Sequence, residues 1–310
     1  MTTTSKEHKK YLIIICGPTG VGKTDLSIDI AEHFRSEIIS CDSRQIYKEL
    51  NKGVAKPNEK QLTRIKHHFV GTVSIEQHYS IYQYETDVLN LLDNYYKNNN
   101  IAVMCGGSGL YIDAVCNGVD EMPDHDEEIR ARVINIYINQ GISALRFELQ
   151  KIDPLYYSQV DLRNPNRIMR AIEIYYQTGK AFSEFRKNES KKRDFEIIKI
   201  GINLDRDKLY ERINKRVDEM ILSGLLEEVK SLVDYKNLTS LRTIGYSELF
   251  MVLNNEIKLQ DAIELIKRNT RHYARRQITW FKRYNDVVWF TPEQKNEIIV
   301  YVNDLVNNIK

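Results

Sequence analysis

The sequence predicts an α/β fold: a parallel sheet flanked by helices, interrupted by a mostly helical insertion. Three observations predict it. Short, almost continuous apolar runs alternate with stretches of helical periodicity, the pattern of βαβ units. The first of these runs passes directly into a glycine-rich loop and then a helix. A long middle stretch, from about 120 to 190, holds several helical patterns and no strand.

Taken in order, Tyr11–Cys16 (YLIIIC) is apolar throughout, as suits a strand covered on both faces of a parallel sheet. Residues 17–24 form the glycine loop, and Leu26, Ile30 and Phe34 then recur at helical spacing. Residues 37–41 (EIISC), 101–105 (IAVMC), 197–204 (IIKIGINL) and Val287–Phe290 (VVWF) are the remaining strand candidates. Lys191, Lys192 and Arg193 close the insertion and read as a solvated loop. Residues 208–283 are again helical, with a break near 237–240. The expected organisation is a core over 1–119, a helical insertion over 120–195, and the second part of the core, with basic C-terminal helices, over 196–310.

Of the 310 residues, 42% are hydrophobic, ample for a core, and the formal net charge is only +2. Any basic surface must therefore be local. No apolar run approaches the ~20 residues that span a bilayer, and the polar start MTTTSKEHKKY lacks an apolar signal region. A cytoplasmic protein without membrane contact is expected, and nothing demands more than a monomer. Cys16, Cys41, Cys105 and Cys116 form no C-x-x-C pair and read as small buried hydrophobes.

Gly17, Pro18, Thr19, Gly20, Val21, Gly22, Lys23 and Thr24 match G-x-x-x-x-G-K-[ST] between a strand and a helix. Such a loop aims backbone N–H groups at phosphate oxygens, and the helix N-terminus adds positive potential. Lys23 would neutralise phosphate charge, and Thr24 would offer its hydroxyl to Mg²⁺. The fold class is thereby P-loop NTPase-like. The loop alone says only that a phosphate is bound, ATP included. Hydrolysis further needs an acid at the end of another strand, and the run at 101–105 ends in Gly106 and Gly107 instead. The best-placed carboxylate is Asp42, just beyond the second strand, where substrates meet an open α/β sheet. The residues leave two roles open for it: proton acceptor or water-mediated Mg²⁺ ligand, against simple helix N-cap. Lys56-Pro57 and the glycines at 106–109 are placed to close over the same cleft.

Together these motifs resemble the tRNA dimethylallyltransferase (isopentenyl-tRNA transferase) family along nearly the whole chain. GPTGVGKT at 17–24, DSRQIY at 42–47, GVAKP at 53–57, CGGSGLY at 105–111, NRIMRAIE at 166–173, RVDEM at 216–220, GLLEEV at 224–229, IGYSE at 244–248 and TRHYARRQITWF at 270–281 occur in the family's order. Departures are Val54 and Ser108 for threonines, and Asn164 and Asn166 for an aspartate and a glutamine. The resemblance implies transfer of a dimethylallyl group from dimethylallyl diphosphate to N6 of the adenine immediately 3′ of the anticodon. Lys23, Thr24, Mg²⁺ and Arg216 would stabilise the departing diphosphate, and Asp42 would take the amine proton. Without the resemblance, Arg216 reads as a surface arginine paired with Asp218 or Glu219. Ser43, Arg44 and Gln45 would meet the extruded nucleotide, whose unstacking costs a few kcal/mol. Ser108, Arg130 and the stretch Asn166, Arg167, Ile168, Met169 and Arg170 would also meet tRNA.

Lys267, Arg268, Arg271, Arg275, Arg276, Lys282 and Arg283 crowd one helical stretch, interleaved with His272, Tyr273, Trp280 and Phe281. Arg268, Arg271 and Arg275 share a face, and this basic character suits RNA phosphates; Trp280 and Phe281 are expected in the core. A small-molecule kinase explains neither the insertion nor the basic helix. A prenyltransferase acting on free adenine nucleotides has no need of the insertion. A non-catalytic RNA binder leaves Lys23, Thr24, Asp42 and Arg216 unexplained.

Overall fold

The computed structural model describes residues 9–187 and 189–307. Two compact units emerge. The first comprises the chain up to residue 79, residues 86–116, and the chain from 193 onward; the second comprises residues 80–85 and 117–192. Nothing in the sequence pattern marks 80–85, the start of a regular helix, as belonging with the insertion expected at 120–195.

The first unit is built on a six-stranded sheet. Its elements begin with β1 (Tyr11–Cys16), α1 (Lys23–His33), β2 (Ile38–Ser40), α2 (Glu59–Arg64), β3 (His67–His68), α3 (Ile81–Tyr95, whose first residues fall in the second unit), β4 (Ile101–Gly106) and α4 (Gly109–Asn117). The second unit supplies α5 (Glu127–Ile152), α6 (Pro154–Gln159), α7 (Pro165–Thr178) and α8 (Phe182–Phe185). The first unit resumes with β5 (Glu196–Ile202), α9 (Arg206–Leu222), α10 (Leu225–Ser231), α11 (Tyr246–Leu253), α12 (Leu259–Phe281), β6 (Val287–Phe290) and α13 (Lys295–Asn307).

The strand order is β3-β2-β4-β1-β5-β6, with every pairing parallel. β1 is central: Tyr11 pairs with Ile101 on one side and Glu196 on the other. All six β1 residues are buried, so the continuous apolar run reports a strand with no wet face. Ile13 and Ile15 join Leu26, Ile28 and Ile30 of α1 in one core cluster. A second cluster joins Ile46 and Leu50 to Val217, Leu225, Leu241, Tyr246, Leu249 and Ile266 from α9 to α12. β3 was not expected; two residues carry no periodic signal. The helical stretch 208–283 is cut more often than its one expected break: Gly224 turns the chain at φ 98° before α10, and Gly245 does so at φ 96° before α11.

In the second unit α5 is bent at Gly141 (φ 74°) and lies along α7. Val133, Leu145, Leu149, Ile168 and Ile172 form their shared core. Asn164 caps α7 by accepting from Arg167 N at 3.2 Å, with Pro165 as the first helical residue. A short polar cap is what this position needs, so the departure to Asn164 is structurally neutral. Lys191 and Lys192 are exposed in a loop, as expected, but Lys191 and Arg193 are also engaged. Lys191 pairs with the buried Glu85 at 3.3 Å. Arg193 donates to the Val115 and Ala114 carbonyls, both at 2.8 Å, closing the end of α4.

Candidate active site

The glycine loop lies at the C-terminal rim of the sheet, between β1 and α1. Gly17 has φ 150°, and a Cβ there would sit 2.3 Å from the Ile202 carbonyl oxygen on β5; only glycine fits. α1 begins at Lys23, so its unpaired N–H groups open toward the loop. The Lys23 ammonium arches back and donates to Pro18 O at 2.8 Å. Burial pushes its pKa down, Arg216 adds to that, and Cys105 and Asp42 oppose it. A partly buried cation beneath a glycine loop is well placed for an anion's charge.

Asp42 stands just past β2, whose ladder is extended by Cys41 N donating to Cys105 O at 2.9 Å. Its Oδ1 accepts from Arg44 N at 2.9 Å and Gln45 N at 3.2 Å, forming a local turn. No helix follows Asp42 directly, so this oxygen closes a turn and the helix N-cap reading is corrected. Among the described residues, Oδ2 accepts no hydrogen bond. Arg216, on α9, is largely withdrawn from solvent; burial lowers its pKa while Asp42, then Glu219, act the other way. Its surface pairing with Asp218 does not form: Asp218 pairs with Lys267 at 2.8 Å. Lys23, Asp42 and Arg216 thus share one electrostatic environment.

The neighbours of Asp42 are engaged in shaping the rim. Ser43 N donates to Ser108 Oγ at 3.0 Å, and Arg44 Nη1 to Ser240 O at 3.1 Å and Thr239 O at 3.4 Å. Gln45 Nε2 donates to Val54 O at 3.2 Å and Ala55 O at 3.0 Å, and its Oε1 accepts from Ser40 at 3.3 Å. The Gln45 amide thereby holds the 54–55 turn. Lys56 likewise does not close over the cleft: its ammonium donates to Tyr47 O at 2.5 Å and Lys48 O at 3.0 Å.

One residue at the site, Gln277, was missed from the sequence, and Tyr273, named there only among the aromatics of the basic stretch, was not placed beside Asp42. Tyr273 of α12 lies against Asp42, Arg44 and Ser108, and its hydroxyl pKa is pushed up to about 12 by burial and then by Asp42. Gln277, 6% exposed, accepts from Thr19 N at 2.9 Å and donates to Gly107 O at 2.8 Å. The signal was present for Gln277: a polar residue inside the apolar stripe that Ala274 and Phe281 mark at helical spacing.

The outer side of α12 carries the basic residues. Arg275 and Arg276 are exposed, and with His272, Thr279, Trp280 and Arg283 they line an open hollow. Arg271 Nη1 donates to Asn214 Oδ1 at 2.6 Å, so it is held toward α9. Lys267 is neutralised by Asp218 and by Glu264 at 3.2 Å. Phe281 is fully buried, but Trp280 corrects the core expectation: it lines the hollow with the Arg283 guanidinium 4.0 Å from its ring.

Within the second unit, Glu173 is buried and gathers Arg130 (3.4 Å), Arg170 (3.5 Å) and His125 (3.1 Å). Burial would raise its carboxyl pKa; His125, Arg130 and Arg170 outweigh that and hold it below the usual range. Asn166 and Arg167 are exposed at the start of α7. Ile168 and Met169 are buried in the α5–α7 core, so their side chains offer no surface to RNA. The four cysteines are unpaired, and burial pushes every thiol pKa up, consistent with inert packing residues.

Sheet, loop and rim define the class: a P-loop protein whose loop looks onto a lone carboxylate and an arginine, suited to moving a group off a phosphate leaving group. Within it, the chain belongs to the IPP transferase family, whose model matches residues 45–284. It is 49% identical over 294 residues to tRNA dimethylallyltransferase 1 of Phocaeicola vulgatus, covering 95% of this chain and 98% of that protein. The corresponding figure for the Bacteroides fragilis protein of the same name is 48%, covering 94% and 97%. Among solved structures, the full-length tRNA isopentenylpyrophosphate transferase of Bacillus halodurans matches with TM-score 0.72 and 31% identity over 97% of this chain and 98% of that one. A eukaryotic dimethylallyltransferase described as acting on tRNA matches with TM-score 0.79 and 27% identity, covering 96% and 80%.

Proposed function

We propose that the protein transfers the dimethylallyl group of dimethylallyl diphosphate to N6 of the adenine immediately 3′ of a tRNA anticodon, giving N6-isopentenyladenosine and diphosphate. The observation that carries this reading is the Asp42 carboxylate: one oxygen is fixed by the Arg44 and Gln45 amides, and the other is open beside Lys23 and Arg216. In the step, the N6 lone pair attacks the allylic C1 as the C1–O bond breaks. The bonding pair leaves with the diphosphate, and the N6 proton passes to Asp42. The exocyclic amine is barely basic, so the proton acceptor helps most while the N–C bond is forming. Lys23, Arg216 and the loop N–H groups take up the charge gathering on the leaving group.

Mg²⁺ fits this donor set in a restricted way. Among the described residues, no group of three or more His, Cys, Asp or Glu side chains is arranged to hold a metal. Thr24, partly exposed at the head of α1, offers a hydroxyl, and the substrate's diphosphate oxygens and water would complete the shell. When bound, the ion supplies further neutralisation of the diphosphate. Arg275 and Arg276 on α12, and Asn166 and Arg167 on α7, are the exposed groups offered to tRNA phosphates and bases. Among the described residues no helix is long and apolar enough to cross a membrane; a cytoplasmic monomer accords with this reading.

The test is transfer of label from dimethylallyl diphosphate, with Mg²⁺, into unmodified tRNA bearing an adenine run after the anticodon. Free AMP and ATP run in parallel. Label in tRNA alone supports the reading. Label in the free nucleotides moves the acceptor to that class, and no transfer across several tRNAs sinks it.

A further inference from the structure

The Gln277 amide is a buried polar group in an otherwise apolar stripe of α12, flanked by the fully buried Ala274 and Phe281. Left unpartnered, it would be a destabilising group to bury. Both of its ends are used, and its orientation is fixed: a backbone N–H can only donate and a carbonyl can only accept, so Oε1 must face Thr19 and Nε2 must face Gly107. Gly107 is matched to this contact, because a Cβ there would sit 2.1 Å from Gln277 Nε2. The bridged segments are the phosphate loop after β1 and the turn after the adjacent strand β4. From Gly107 the connection continues through the next residue, Ser108, whose Oγ accepts from Ser43 N, next to Asp42.

We propose that Gln277 is a positioning residue for the transfer reaction: it sets the spacing between the loop that holds the diphosphate and the carboxylate that takes the proton. This rests on the functional reading given above. Gln277 touches neither reacting atom. It reaches the phosphate side through Thr19 and the base side through Gly107 and Ser108. The position places it on the helix whose opposite face carries Arg275 and Arg276, yet its own contacts belong to the diphosphate side of the site.

The experiment compares wild type, Gln277→Met and Gln277→Glu. Calorimetry with inorganic pyrophosphate and Mg²⁺, filter binding of unmodified tRNA, and steady-state transfer are measured on each. Methionine keeps the volume and removes both hydrogen bonds. It is expected to weaken pyrophosphate binding and lower kcat, each by about tenfold, with tRNA affinity and the tRNA KM held within about twofold. Glutamate keeps the acceptor for Thr19 N but sets a carboxylate against Gly107 O and beside the anion site, so pyrophosphate binding is expected to fall at least as far as in the methionine variant. If Gln277→Met fails to fold, the glutamate variant carries the comparison against wild type alone. Loss of tRNA affinity with pyrophosphate binding intact would place Gln277 in the RNA surface and overturn the inference. Wild type binding pyrophosphate with both variants unchanged in binding and kcat overturns the inference alone. Wild type failing to bind pyrophosphate overturns the functional reading and this inference with it.

Discussion

At the residue scale, the chemistry turns on how Asp42 divides its two oxygens. Oδ1 is committed to the turn through Arg44 N and Gln45 N, so an amide at this position preserves the geometry while removing the proton acceptor. Asp42→Asn is expected to slow single-turnover transfer by about 10²- to 10⁴-fold, with pyrophosphate binding and thermal stability unchanged. A transfer rate within a few-fold of wild type would end the assignment of Asp42 as base. Lys56 shows the opposite case, a lysine in a matching motif that is structural. Its three oxygen partners, Tyr47 O, Lys48 O and Asn51 Oδ1, all lie in the loop it closes. Sequence pattern cannot separate these cases, because both residues are polar, follow the same strand, and sit in short motifs of the same kind.

At the scale of elements, α12 has two faces with different tasks. Inward are Ala274, Gln277 and Phe281; outward are Arg275 and Arg276. Arg275→Ala is expected to weaken tRNA binding and to reduce the slope of log affinity against log salt by about one, the loss of a single phosphate contact. Lys267→Ala should leave that slope unchanged, since Asp218 and Glu264 already neutralise its charge. Equal slopes for wild type and Arg275→Ala would remove this helix from the RNA surface. The periodicity that marked α12 as a basic amphipathic helix was plain in the sequence. Which cations were already paired was not, because Asp218 lies on α9, some fifty residues earlier. The strands tell the same story. β1 and β6 were legible to the residue because four to six apolar side chains in succession leave little choice, whereas β3 exists only because β2 offers its edge to His67 and His68.

At the scale of the molecule, acid should weaken the second unit through Glu173. Glu173 has a depressed carboxyl pKa, so its contribution to stability is complete above its unfolded value, near 4.5, and is lost as pH falls through the lower folded value. Thermal unfolding between about pH 5 and pH 3 should therefore drop more steeply for wild type than for Glu173→Gln; parallel curves would show that Arg130 and Arg170 gain nothing from this carboxylate. One further feature concerns ancestry and engineering. Lys191 N donates to Asn117 O at 2.8 Å, so the two ends of the 117–192 stretch meet each other within the second unit. A segment whose ends meet is a cassette: it can be acquired, or cut out, without rethreading the sheet. Replacing 118–190 by a short glycine-serine linker, with Glu85→Gln because Glu85 loses its Val119 partner, should yield a soluble protein that still binds pyrophosphate. Such a minimal scaffold would be a phosphate binder awaiting a different acceptor module.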